Sequence, residues 1–336
     1  MKNKIKAVAL FSGGLDSILA IKLIQLQSIE VIGVNFKTPF FSLNGASEVL
    51  KNLDLNLEII DITSELLEIL KNPPHGLGKN MNPCLDCHLL MFKKAGEYMA
   101  KIGASFVVSG EVLGERPMSQ NRNSLSIIER ESGLEGKIVR PLSALLLAET
   151  IPEKEGLVKR NKLLDISGRA RRRQIELAAK MGIKDYPSPA GGCKLTEPEF
   201  SKRLKDLFTQ EDFSLEEIEL LKLGRHFRLG EEVKLVVGRN KEENEKIPEF
   251  FQEGDLLFKA KNLKGPLSLL KRALSAERGN FDDFIVKSAQ ITARYCDKNE
   301  GEDEEVDIDC FDKSKKYQKT LKVKLLREEE LGTWRI

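Results

Sequence analysis

The chain has almost no excess charge: 54 Lys and Arg against 52 Asp and Glu leave a formal net charge of +2 over 336 residues. Overall charge therefore gives no ground for a nucleic-acid partner, and any such case must come from local clustering. No stretch approaches the ~18 consecutive apolar residues that a membrane span needs, so no membrane association is expected. The basic start Met1-Lys2-Asn3-Lys4-Ile5-Lys6 leads into a short apolar stretch, 7–11, and then into Ser12-Gly13-Gly14 with no cleavage site. That pattern argues against a signal peptide and predicts a cytoplasmic protein. Internal repeats and low-complexity tracts are absent. Cysteines are few, five in all, and in a reducing compartment they read as catalytic or metal-binding before disulfide.

Enough apolar residues remain, 41%, to bury real cores, and the length suggests two domains. In the first half, short apolar runs at 7–11, 31–36, 57–62 and 105–109 read as buried strands. Helical patterns at 17–27, 46–53 and 89–102 separate them. Such alternation predicts an α/β fold, a doubly wound parallel sheet covered on both faces. Ligands in that fold bind at the carboxyl ends of the strands, where Ser12 and Gly110 fall. From Pro198 the pattern turns helical and polar. Beyond it, 232–237 and 255–259 read as half-exposed strands, 284–295 as a helix and 321–326 as a closing strand. The expected organisation is a first domain over 1–197, a helical linker over 198–222 and a smaller α+β domain over 223–336. The acidic run Glu302-Asp303-Glu304-Glu305 predicts a solvated loop.

Ser12-Gly13-Gly14-Leu15-Asp16-Ser17 follows the first predicted strand and opens the first helix. Two glycines let the backbone turn tightly and approach a ligand, and the N–H groups of the turn then favour an anion. Ser12 and Ser17 add hydroxyl donors. Asp16 repels phosphate by itself. It fits if a magnesium ion bridges it to the phosphates, or if it caps the helix. A capped turn without ligand is the plainer alternative. No Gly-Lys-Ser/Thr follows, so this is not a Walker loop.

Asn82-Pro83-Cys84-Leu85-Asp86-Cys87-His88 places two thiols at C-x-x-C spacing before a helix, whose N-terminus favours the thiolate. Cys193 follows Pro189-Ala190-Gly191-Gly192 on a glycine-rich turn that leaves its sulfur accessible. Taken alone, the pair is open between redox chemistry, metal binding and no function. His88 reads as a helix-start residue.

The glycine loop resembles the pyrophosphate loop of the adenine-nucleotide alpha-hydrolase (PP-loop) superfamily, whose members cleave ATP between its alpha and beta phosphates. The flanks of Cys84 and Cys87 resemble those of tRNA 2-thiouridylases. Ser109-Gly110-Glu111-Val112-Leu113-Gly114 with Ser119-Gln120, and Arg140-Pro141-Leu142, resemble segments of 4-thiouridine synthases. This resemblance spans roughly residues 5–197. It implies a tRNA uridine thiolase in which ATP adenylates a uracil carbonyl and sulfur displaces AMP. Nucleotide contacts are then implied for Ser12, Gly13, Gly14, Asp16, Ser17 and Gly110. Asp16, Cys84, Cys87 and Cys193 become the catalytic set. The family also implies a [4Fe–4S] cluster on Cys84, Cys87 and Cys193, against two alternatives: a cysteine persulfide without cluster, or zinc. Partners so implied are tRNA and a sulfur donor, either a cysteine desulfurase or sulfide. The sequence does not set the oligomeric state, a homodimer being one option, and it does not separate a 2-thio from a 4-thio product.

Lys159-Arg160-Asn161-Lys162 and Arg169-Ala170-Arg171-Arg172-Arg173 concentrate basic charge, and i, i+3, i+4 spacing predicts Arg169, Arg172 and Arg173 on one helical face. Further on, Val237-Gly238-Arg239-Asn240 with Asn244, and Phe258 through Pro266, resemble NFACT-R, an RNA-binding module. Lys259 and Leu267 stand where that module usually has histidines. An RNA surface over Arg239, Asn240, Lys261 and Lys264 is the expectation. Two other functions stay open: an adenylating enzyme acting on a small metabolite, and a nucleotide-responsive RNA-binding protein without catalysis.

Overall fold

The computed structural model of the protein describes residues 5–41, 53–184, 186, 192–210, 212–272, 281–297 and 305–336. It divides into two compact units, Met1–Thr196 and Glu197–Ile336. The expected helix over 46–53 and the glycine turn at 189–191 lie almost entirely outside the described residues, as do Glu302, Asp303 and Glu304.

The first unit is built on strands β1 (Lys6–Leu10), β2 (Glu30–Lys37), β3 (Asn56–Asp61), β4 (Phe106–Val108) and β5 (Ile138–Val139). They form a parallel sheet in the order β3-β2-β1-β4-β5. Helix α1 (Leu15–Gln25) joins β1 to β2. Helices α2 (Thr63–Lys71) and α3 (Cys84–Ile102) lie between β3 and β4 in the chain. Strand order reverses at β1, so right-handed crossovers carry helices to both faces. Ala7, Ala9 and Phe11 pack with Ile18, Ile21 and Ile24 of α1. The alternate strand residues Val8 and Val107 face the other side, where α3 meets β1. This is the expected doubly wound sheet.

α1 buries a second side as well. Leu15, Leu19 and Leu23 pack with Val112, Leu142, Ile166 and Ala178. Ala178 belongs to α6 (Arg172–Lys180), which follows α4 (Arg122–Ser132) and the short α5 (Ile151–Lys154). A helix apolar on nearly all sides has to be enclosed. The outcome is that the segment leading into α6 is held beside the first turn of α1.

The second unit is an antiparallel six-stranded sheet of order β11-β10-β8-β9-β7-β6. Its strands are β6 (Arg225–Arg228), β7 (Lys234–Val237), β8 (Leu256–Ala260), β9 (Ser268–Lys271), β10 (Glu305–Asp312) and β11 (Gln318–Lys324). Helix α10 (Phe281–Arg294) covers one face with Phe284, Ile285, Ala289 and Ala293, against Leu235, Phe258 and Leu270. Val236, Leu257 and Leu269 point to the other face, onto Ile247 and Phe251. β7 is therefore buried throughout, not half-exposed as its alternating sequence suggests. Glu305 opens β10 as an exposed residue.

Helices α7 (Pro198–Leu207) and α8 (Leu215–Leu220) belong to this second unit. Arg203 donates to the Leu221 carbonyl (3.0 Å), while Asp206 accepts from Arg228 (2.6 Å) and Lys234 (3.3 Å). Residues 198–222 thus pack into a domain instead of forming a separate linker. A short α9 (Lys241–Lys246) follows β7, and α11 (Glu328–Leu331) lies near the chain end.

Candidate nucleotide and sulfur site

β1 ends where Asn35 of β2 donates from Nδ2 to the Phe11 carbonyl (2.8 Å, buried), fixing the exit of the chain into the loop. Gly13 takes φ +75°, a left-handed conformation that favours glycine. Gly14 is the N-cap of α1 and contributes no side chain. Ser17 Oγ donates back to the Gly14 carbonyl (2.8 Å), and Ser12 Oγ accepts from Gly14 N (3.3 Å). The N–H groups of the first helical turn have no partner within the helix, which makes this an anion-binding end. Asp16 is the second residue of α1 and Gly14 its N-cap, so the reading of Asp16 as the cap is corrected.

Gly110 closes the loop from behind. A Cβ on it would lie 2.6 Å from Ser17 N and 2.7 Å from the Asp16 carbonyl carbon, so only glycine fits. Ser12, Gly13, Gly14, Asp16, Ser17 and Gly110 are therefore one local structure. Burial pushes the Asp16 carboxyl up, against the downward pull of Arg171, Gln174 and Arg116. The Arg171 guanidinium stands 3.9 Å from it.

Cys84 and Cys87 open α3, one turn apart. Asn82 donates from Nδ2 to Cys84 Sγ (3.2 Å), and Asp86 is buried, accepting from His75 N (3.1 Å) and bonded to His75 Nδ1 (2.7 Å). Cys193 reaches the same place from far along the chain. Asn80 donates to the Thr196 carbonyl (2.7 Å), and Thr196 in turn bonds the Cys193 carbonyl through Oγ1 (2.7 Å). Burial pushes the Cys87 thiol far up, and the neighbouring Cys193 and Cys84 push it further. Cys84 and Cys193 thus both lie within electrostatic reach of Cys87. All five cysteines of the chain are reduced, and Cys296 and Cys310 lie buried in the second unit.

A ligand set needs more than proximity. Among the described residues, no three His, Cys, Asp or Glu side chains are grouped to hold a metal ion. The donor types suit a cluster.

Glu111 connects the nucleotide loop to the cysteine helix. It follows Gly110, is 4% exposed, and bonds His88 Nδ1 (3.0 Å), the residue after Cys87. Its other oxygen accepts from Arg140 Nε (2.9 Å), and Arg140 also pairs with Glu129. Burial raises the Glu111 carboxyl, but Arg140 and His88 overcome this and hold it below its ordinary range. His88 is therefore an oriented side chain, not merely a helix-start residue. The sequence marked Glu111 and Arg140 only as members of familiar segments; two opposite charges far apart in the chain carry no signal of pairing.

The basic stretches behave differently from one another. α6 begins at Arg172, so Arg169 lies in the preceding loop and shares no helical face with it. Arg172 pairs with Glu176 (2.8 Å) and Arg173 with Asp165 (2.5 Å) on the surface. Arg160 pairs with the buried Glu153 (2.7 Å). In the second unit, Asn240 caps α9 by accepting from Glu243 N (3.0 Å), and Arg239 Nε donates to Glu243 (2.9 Å). Asn244 ties β7 to β9 by accepting from Leu267 N (3.0 Å), and it fills the space beside Gly238. Lys261 and Lys264 are exposed.

Residues 224–335 match the family model described as the NFACT protein RNA binding domain. The match falls within the second unit. Over part of its length the chain is also similar to proteins named as tRNA thiolation enzymes. It is 35% identical over 135 residues to the tRNA-specific 2-thiouridylase MnmA of Petrotoga mobilis, covering 34% of this chain and 36% of that protein. It is 30% identical over 145 residues to a probable tRNA sulfurtransferase of Thermococcus kodakarensis, covering 42% and 37%. The chain thus spans little more than a third of the length of these two relatives. A solved 4-thiouridine synthetase–RNA complex with bound ATP superposes at TM-score 0.40 with 22% identity, covering 65% of this chain and 52% of that one. Among the described residues no helix is long and apolar enough to cross a membrane.

Proposed function

We propose that the protein is an ATP-dependent tRNA sulfurtransferase that adenylates a uridine carbonyl and replaces its oxygen with sulfur. One observation carries the reading. The phosphate loop and the Cys84–Cys87–Cys193 group belong to one unit and are tied through adjacent residues, Gly110-Glu111 on one side and Cys87-His88 on the other. Similarity to tRNA thiolation enzymes over part of the chain, and the RNA-binding family match in the second unit, support it.

The loop of Ser12, Gly13, Gly14 and Ser17 would hold ATP by its phosphates, with first-turn N–H groups stabilising charge as pyrophosphate leaves. Mg2+ fits Asp16, whose buried Oδ1 has no hydrogen-bond partner; bound there it would neutralise phosphate charge. The adenylated carbonyl then has AMP as a good leaving group. A cysteine desulfurase transfers sulfur to one thiol of Cys84, Cys87 and Cys193 as a persulfide, whose outer sulfur attacks the adenylated carbon and expels AMP; a second thiol of the set then breaks the S–S bond, leaving the sulfur on the base and a disulfide that an external thiol reduces. Sulfide, already fully reduced, would instead attack the adenylated carbon directly. A persulfide on one thiol resolved by a second needs only a pair of cysteines; a [4Fe–4S] cluster on all three is the alternative. Arg169, Lys261 and Lys264 are candidate phosphate contacts for tRNA. The setting is the cytoplasm, where thiols stay reduced.

The test is ATP–pyrophosphate exchange with and without unmodified tRNA, alongside assays for iron, labile sulfide and persulfide. Exchange stimulated by tRNA, with persulfide and without iron, is expected. Exchange indifferent to tRNA would contradict the substrate.

A further inference from the structure

Four buried polar atoms without hydrogen-bond partners gather on one side of the phosphate loop. They are Asp16 Oδ1, Arg171 Nε and both amide atoms of Gln174. Gln174 is fully buried on α6 and faces Asp16. Arg171 immediately precedes α6, with its guanidinium 3.9 Å from the Asp16 carboxylate, too far for a hydrogen bond. Unpartnered buried polar groups are costly, and native folds keep them chiefly where something else will satisfy them.

The arrangement is rigidly supported. α6 is clamped to α1 through Ala178 against Leu15, Leu19 and Leu23. Gly168 N donates to the Leu113 carbonyl (2.8 Å), joining the approach to α6 to the segment that carries Glu115 and Arg116. Glu115, half-buried, is pushed up first by burial and then by the Asp16 charge; Arg116 and Arg171 pull it down. Asp16, Arg171 and Gln174 therefore meet at the start of the 11-residue α1, with Glu115 and Arg116 within electrostatic reach of Asp16. Carboxylates alone would repel phosphate, and arginines alone would leave the carboxylates without purpose. Both together suit a polyphosphate that carries a divalent cation.

We propose that Glu115, Arg116, Arg171 and Gln174 complete the nucleotide site. Asp16 and Glu115 take the divalent cation, Arg116 and Arg171 grip the phosphates beyond the alpha position, and Gln174 satisfies the inner oxygen. The loose Asp16–Arg171 pair is what the cation and phosphates replace, the cation taking Asp16 and a phosphate oxygen taking Arg171. This rests on the ATP reading of the loop. It also assigns Arg171 to nucleotide, apart from its basic neighbours Arg172 and Arg173.

The experiment is calorimetric titration of the full chain with Mg2+·ATP and, separately, with AMP, comparing wild type, Arg171→Ala, Arg171→Lys and Gln174→Leu. Arg171→Ala is expected to weaken Mg2+·ATP by roughly 10–100-fold, the value of charge-assisted hydrogen bonds, with AMP affinity unchanged and partial recovery in Arg171→Lys. Gln174→Leu is expected to weaken Mg2+·ATP about tenfold while the melting temperature of the ligand-free protein holds or rises. Equal loss of AMP and ATP binding would show a structural role and overturn the proposal. So would unchanged Mg2+·ATP affinity in Arg171→Ala and Gln174→Leu when the wild type binds ATP. A wild type with no ATP affinity would instead bring down the loop reading itself.

Discussion

Gly110 lies so close to Asp16 that a Cβ on it would stand 2.7 Å from the Asp16 carbonyl carbon and 2.8 Å from its oxygen. The carboxyl end of β4 therefore sets the position of the loop after β1, and the two strand ends act as one surface. Backbone atoms cannot yield as a flexible side chain can. Gly110→Ala should displace the first turn of α1, costing about 1–3 kcal/mol in stability as overpacking does, and should abolish nucleotide-induced stabilisation. Differential scanning fluorimetry with and without Mg2+·ATP measures both effects.

The buried Glu111–Arg140 pair yields a second expectation. Removing one partner strands the other charge in the interior, so Arg140→Met should destabilise the first unit by about 3–5 kcal/mol. The acid response has a definite sign. Glu111 is held below its ordinary value of 4.5, so the unfolded chain takes up a proton first as pH falls. Its stabilising contribution is complete above that value and is lost as pH drops through the folded pKa. Urea unfolding between pH 7 and pH 3 should show this loss, and Arg140→Met should flatten it.

The second unit holds a comparable pair: Lys271 Nζ lies 2.6 Å from Asp255 Oδ2, and both side chains are almost wholly buried. Asp255 also accepts from Gln252 N (2.9 Å) and Arg272 N (2.9 Å). Asp255→Asn should therefore cost about 3–5 kcal/mol in chemical denaturation of this unit, with little effect on ATP affinity in the first.

Thiol reactivity should divide by burial. The Cys310 thiol, on β10, is pushed up to about 12 by burial and stays protonated at pH 8.5. Cys84 and Cys193 are only half-buried. Iodoacetamide at that pH, followed by peptide mass spectrometry, should modify Cys84 and Cys193 well before Cys310. Between pH 9 and 12 the folded chain keeps a proton on Cys310 that the unfolded chain has lost, so this thiol lowers stability as pH rises.

Much of this architecture was legible because local patterns and tertiary needs coincide. The apolar run into Ser12-Gly13-Gly14, and the alternation of strand and helix after it, lead directly to the parallel sheet and its ligand end. What escaped notice depends on long-range pairing. β6, β9 and β10 are short or charge-rich strands that only neighbouring strands stabilise. β7 looks half-exposed because nothing local reveals that its second face meets Ile247 and Phe251. Arg171 reads as one more cation in a basic run until α6 is packed on α1 and brings it to Asp16.

The account is tested most directly by nucleoside mass spectrometry of unmodified tRNA incubated with the protein, Mg2+·ATP and a sulfur source. It predicts a thiolated uridine that requires ATP and is lost in Asp16→Ala and in Cys84→Ala. A thiolated product formed without ATP, or tRNA left unmodified by protein that turns over ATP, would contradict it.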